Sequence, residues 1–226
     1  MNNFLSNDSF IFYFIFIICG ILIFIPIIGK YIRLIETMIH EFGHVIISVI
    51  LGCPIKRVNL FSNTSGETIV SASKSKTFFI AFAGYPFSAA ISWVCFWANA
   101  HHHQDYLLYA LTILSILFLI LYIRNPFGIF WTLSLIIMNS FIIYIDNAIT
   151  IKILANIYAC IIFIESNLSV FRLVILSLRN GVQAGDAGIL YKLTHIHAIF
   201  YALLFLSINI FISYYTIIYF FPLKFI

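Results

Sequence analysis

"ETMIHEFGHVIISVILG", residues 36–52, decides how this chain is read. Most of it is apolar enough to lie in a lipid bilayer, yet Glu36, His40, Glu41 and His44 fall within nine positions. Residues four apart share one face of a helix, so Glu36, His40 and His44 form a single polar stripe. An ionisable group at mid-bilayer costs on the order of 2.5–3.5 kcal/mol, which makes such a stripe a mark of function. His40-Glu41-Phe42-Gly43-His44 is an H-E-x-x-H motif. Two imidazoles at this spacing can hold one zinc ion, with Glu41 beside it as a general base. Zinc lowers the pKa of a bound water to about 7 and so supplies a nucleophile at neutral pH. Seven His and four Glu in 226 residues would give an accidental match in roughly four such chains per thousand. Gly43 is expected to leave open space beside the metal.

The rest of the chain supports a membrane setting. It is 63% hydrophobic and 9% charged, against about a quarter charged in a soluble domain, too few to clothe a water-exposed surface. The net charge of +4 is spread thinly, without a basic stripe, which argues against a nucleic-acid partner. Cys19, Cys53, Cys95 and Cys160 lack C-x-x-C spacing and read as small apolar residues. The start, "MNNFLSNDSF", lacks the basic region of a secretory signal, so the apolar run after it reads as a retained first helix.

Apolar windows predict spans at 10–28, 33–51, 77–97, 107–123, 129–145, 151–165 and 197–221. The short stretch 168–178, "LSVFRLVILSL", is expected as a re-entrant or interfacial helix. The fold class is therefore an all-α polytopic membrane protein with six or seven transmembrane helices, read as a single domain over 1–226. Segment 53–76 interrupts the helices with β-prone ends (Val58, Leu60; Ile69, Val70) around an "NTSG" turn, which predicts a short β-hairpin near the membrane face. Segment 179–196, "RNGVQAGDAGILYKLTHI", predicts irregular backbone around Asp186, which at membrane depth must be buried in protein or line a wet cavity. Counting Lys and Arg over seven spans puts the N-terminus in the cytoplasm, with Lys224 counted on the opposite side.

A catalytic zinc usually takes three protein ligands and keeps one position open. The remaining acids are Asp8 near the terminus, Glu67 in the hairpin, Asp105 after "HHHQ", Asp146 and Glu165 at span ends, and Asp186 between glycines. Stretch 36–52, the β-prone segment after it, "AFAGYPFSAA" at 81–90, "RNPFG" at 124–128 and "GDAGILYKLT" at 185–194 together resemble the M50B-like peptidases, a branch of the site-2-protease class of intramembrane zinc metalloproteases. In that family an Asp in a pattern like S-D-A-x-x-L completes the site. Asp186, Ala187 and Leu190 fit it, with Gly185 in place of the Ser. The resemblance implies His40, His44 and Asp186 as zinc ligands and Glu41 as the base; among the other acids, Asp146 is the runner-up for the third ligand. It implies a peptide or membrane-protein substrate and a place in a bacterial cell membrane. Better-known relatives carry N-P-D-G around the ligand Asp. Here Phe127 stands in that place, so "NPFG" supplies no ligand.

Glu36 has two readings: a hydrogen-bond partner for the free ring nitrogen of His40, or a carboxylate near the helix N-terminus. The "HHH" at 101–103 reads as a solvated loop, and His195 and His197, two apart, do not suit helical chelation. Gly84, Ser88, Ala89 and Ala90 form a small-residue face read as close helix packing. Two other functions compete: a non-proteolytic metal-binding membrane protein acting as a partner-binding scaffold, and a zinc transporter. An intact Glu41 speaks against the first, and span interiors nearly bare of charge against the second.

Overall fold

A computed structural model describes residues 2–221. Lys224 and the side chain of Asp8, both weighed in the sequence, lie outside that description. The elements run α1 (Asn2–Leu22), α2 (Ile28–Ile50), β1 (Ile55–Leu60), β2 (Gly66–Val70), α3 (Lys74–Ala100), α4 (Gln104–Leu121), α5 (Pro126–Ile145), α6 (Ala148–Arg179), a single 3-10 turn (Gly181–Gln183), α7 (Gly185–Thr194) and α8 (Ala198–Phe220). Seven of these helices are long. Five of them, α3 to α6 and α8, are long and apolar enough to cross a membrane.

Local chemistry sets several boundaries. Pro26 falls in the turn between α1 and α2, since proline clashes inside a helix. This ends the first helix earlier, and starts the second sooner, than the apolar windows 10–28 and 33–51 suggest. Pro126 opens α5 at its first position, where a missing N–H costs nothing. The side chain of Asn147 caps α6 by accepting from Ile149 N–H and Thr150 N–H at 3.1 Å each.

Three expectations need correction. Residues 168–178 are the second half of α6, one continuous helix of 32 residues, about 48 Å long against a hydrocarbon core of about 30 Å. Glu165 is consequently in mid-helix and buried, not at a span end. The backbone at Asp186 is also regular: Asp186 occupies the first turn of α7, and the irregular backbone lies at the 3-10 turn before it and at residues 195–197 after it.

The expected hairpin forms. β1 and β2 pair antiparallel, with Val58 opposite Thr68 and Leu60 opposite Gly66. Val58 and Leu60 are fully buried in the main core with Phe118 and Ile123. That burial pulls the hairpin back along α2, and at its tip Thr37 Oγ1 donates to Thr64 C=O at 3.0 Å. Thr37 lies nine residues into α2, about 14 Å along the axis. A strand edge buried in the core must have its N–H and C=O groups satisfied. The outer edge of β1 does so through residues 122–124: Val58 N–H donates to Tyr122 C=O at 2.8 Å, and Arg124 N–H to Val58 C=O at 3.3 Å. Asn125 completes the edge. Its Oδ1 accepts from Leu60 N–H at 3.1 Å, and its Nδ2 donates to Leu60 C=O at 2.5 Å.

Candidate metal centre

α2, α3 and α7 build the site, with β2 beside it. His40 and His44 project from α2 one turn apart, and their Nε2 atoms are 3.1 Å from each other. α7 brings Asp186 Oδ2 to 3.1 Å from His40 Nε2 and 3.3 Å from His44 Nε2. The three ligand atoms lie within 4.8 Å of one another. Asp146, the alternative from sequence, caps the far end of α5 in a left-handed conformation and joins no such group among the described residues.

These residues fit a zinc ion. A carbonyl can only accept, so His44 Nδ1–H donates to Ile80 C=O at 2.7 Å, which leaves Nε2 with a free lone pair. Asp186 Oδ2 is buried and receives no hydrogen bond. Ligand atoms on a tetrahedral zinc with bonds of about 2.0–2.1 Å stand roughly 3.3 Å apart, close to the separations between these three atoms.

Neighbouring residues shape the site. Gly84 of α3 faces both imidazoles: a Cβ there would stand 2.5 Å from His40 Nε2 and 2.8 Å from His44 Cε1. The small residue read as helix packing is thus the space in which the histidines converge. Gly43 does the converse of what the motif suggested. A Cβ on it would meet Phe87 Cβ at 2.8 Å, so Gly43 lets α2 and α3 pack closely and does not open the site. Tyr85 packs edge-on against His40, with ring centroids 4.5 Å apart. Gly185 has φ +45°, a left-handed conformation that penalises any side chain, which accounts for glycine where the family pattern has Ser.

Glu41 is 4% exposed, and its Oε2 accepts from Thr68 Oγ1 at 2.5 Å. Gly66 of β2 lies over the same carboxylate, with a hypothetical Cβ 2.6 Å from Glu41 Cγ. The hairpin therefore holds the acid in place, a role the sequence did not reveal. Glu36 matches neither reading given to it. It sits eight residues inside α2, buried, and no hydrogen bond joins it to His40 among the described residues. Its carboxylate lies beside Ser88. His197 caps α8, accepting from Ile199 N–H at 3.3 Å, His195 ends α7, and His101 donates to Trp97 C=O at 2.8 Å in its loop.

Two cavities meet at the site. One of about 440 Å³ reaches from Asp186 and Glu41 towards Arg33. The other, about 540 Å³, follows β2 from Gly66 to Val70. Both are lined by Glu41, Gly66, Gly185 and Asp186, so together they make a groove past the three converging ligand atoms.

No curated protein and no solved structure matches the chain. A family model described as Peptidase M50B-like matches residues 12–216. With the bulk of its length matched and five helices able to cross a membrane, the chain belongs to the Peptidase M50B-like family and is an integral-membrane protease of the site-2 type.

Proposed function

We propose that the chain is an intramembrane zinc endopeptidase that cuts membrane-associated peptide segments. One observation carries this reading: His40 Nε2, His44 Nε2 and Asp186 Oδ2 converge beside a buried carboxylate, Glu41, in a groove open along one strand. His40, His44 and Asp186 would hold the ion. Zinc in such a site acts as a Lewis acid, polarising a carbonyl and making a coordinated water acidic.

Every other part of the reaction falls to the protein. Glu41 takes a proton from the attacking water and delivers it to the leaving amine. Thr68 donates to one oxygen of Glu41, fixing which oxygen faces the groove. The Ile80 carbonyl fixes the tautomer and ring angle of His44. A helical substrate hides its carbonyls in its own hydrogen bonds, so it must unwind before cleavage. The outer edge of β2, which pairs with no other strand among the described residues, would receive the unwound segment by strand addition.

The test uses purified protein in detergent with candidate membrane peptides and mass-spectrometric detection of the products. Wild type is expected to cut, and Glu41→Gln to lose at least about a hundredfold in rate, the usual worth of a general base. Full cleavage by Glu41→Gln would refute the mechanism.

A further inference from the structure

The groove has a second charged feature, at the end away from β2. Glu165 of α6 is 2% exposed, and its Oε1 accepts from Arg33 Nε of α2 at 2.8 Å and from Arg172 Nη2 of α6. Two guanidinium groups thus share one carboxylate oxygen, while Glu165 Oε2 is buried without a hydrogen-bond partner. A guanidinium carries five N–H donors. Among the described residues, each of these guanidinium groups makes one hydrogen bond, the one to Glu165. The other carboxylate at this end, Glu36, forms no ion pair with either arginine among the described residues.

Both arginines line the 440 Å³ cavity together with His40, Glu41 and Asp186. The Arg33 side chain is 22% exposed and that of Arg172 45%. Charged groups among membrane helices are costly and default to a functional role. Anchoring both on one buried acid leaves each planar guanidinium with donors to spare, and such donors suit a planar carboxylate. Arg33 lies seven residues before His40, about 10 Å along α2. An extended peptide advances about 3.3 Å per residue, so this end of the groove is about three residues from the metal ligands.

We propose that Arg33 and Arg172, positioned by Glu165, form a carboxylate-binding subsite of the groove. It takes an acidic side chain or a free C-terminal carboxylate about three residues from the bond to be cut. The place relative to that bond rests on the peptidase reading; the binding of a carboxylate does not. A peptide is favoured over a lipid phosphate because the arginines share a cavity with Glu41 and Asp186.

The test measures binding, not cleavage. Three labelled peptides are titrated against the full-length Glu41→Gln chain in detergent micelles, zinc-loaded and after chelation: acetyl-Leu-Val-Leu-Val-Asn-amide, the same peptide ending in Asp-amide, and the Asn peptide with a free C-terminal carboxylate. At least one acidic peptide is expected to bind about tenfold or more tightly than the Asn amide, with and without metal; which of the two gains tells a side-chain carboxylate from a chain terminus. Arg33→Ala and Arg172→Ala are expected to bring the ratio below about twofold. Arg172→Lys, which keeps a cation for Glu165 but loses the fork, is expected to reduce it several-fold without loss of folding. Equal binding of all three peptides, or binding of none, overturns the proposal. So does a preference that disappears on chelation, that survives both alanine variants, or that phosphatidylglycerol in the micelle abolishes while phosphatidylcholine does not, which would give the arginines to lipid headgroups. Failure of the peptidase reading shows separately, as undiminished cleavage by Glu41→Gln, and leaves this binding result standing.

Discussion

The two outer edges of the hairpin are made from adjacent stretches of sequence and do opposite things. β1 is closed: residues 122–124 pair with Val58, and the Asn125 amide grips both backbone groups of Leu60. β2 pairs with no further strand among the described residues, and it presents Gly66 and Thr68 to Glu41 at the junction of two cavities. Inside a membrane an unpaired strand edge is expensive. Closing one edge thoroughly while leaving the other beside Glu41, the proposed base, separates architecture from chemistry: damage to β1 should cost stability, and damage to β2 should cost rate.

The sharpest contrast is expected at Gly66. Gly66→Ala puts a methyl group against the Glu41 side chain, and a displaced base is expected to lower cleavage about a hundredfold with little change in thermal unfolding. An unfolding temperature that falls along with the rate would erase the division between the edges. Next comes the closed edge. Asn125→Ala leaves Leu60 N–H and C=O without their partner, and unsatisfied groups of this kind cost about 1–3 kcal/mol. Thermal unfolding in detergent should show the loss, with kcat per folded molecule retained. Smaller is the effect of Thr68→Val, which removes the donor to Glu41 Oε2. It is expected to slow cleavage about tenfold, the lower end for partners that orient catalytic groups, and Thr68→Ser should restore most of the rate. Smallest is Thr37→Val at the hairpin tip, where one hydrogen bond to Thr64 C=O is lost. About 1 kcal/mol of stability is expected to go, again visible in thermal unfolding.

Much of this arrangement was legible in the residues, and the remainder was not for identifiable reasons. Periodicity and turn chemistry announce the H-E-x-x-H helix and the hairpin, because a helix face and a strand pair are local objects. The resemblance singled out Asp186, and the fold carries its carboxylate to the histidines. Contacts between distant segments leave no local trace. Gly84 looked like any small packing residue until α3 lay across α2. Nothing local in "NPFG" announces that Asn125 closes the edge of β1. Glu165 was misplaced because residues 168–178 read as a separate element, whereas α6 runs unbroken to Arg179. Gly43 was read from the motif alone, yet it faces Phe87, on the packing side of α2.

On the proposed reading, His40, His44 and Asp186 together hold one catalytic zinc ion. The most direct test is the metal content of the purified full-length chain, measured by mass spectrometry of the elements, for wild type, His40→Ala and Asp186→Asn. About one zinc per chain in wild type, lost in His40→Ala and sharply reduced in Asp186→Asn while both variants stay folded, is the predicted result. Zinc stoichiometry and affinity unchanged by Asp186→Asn would contradict it.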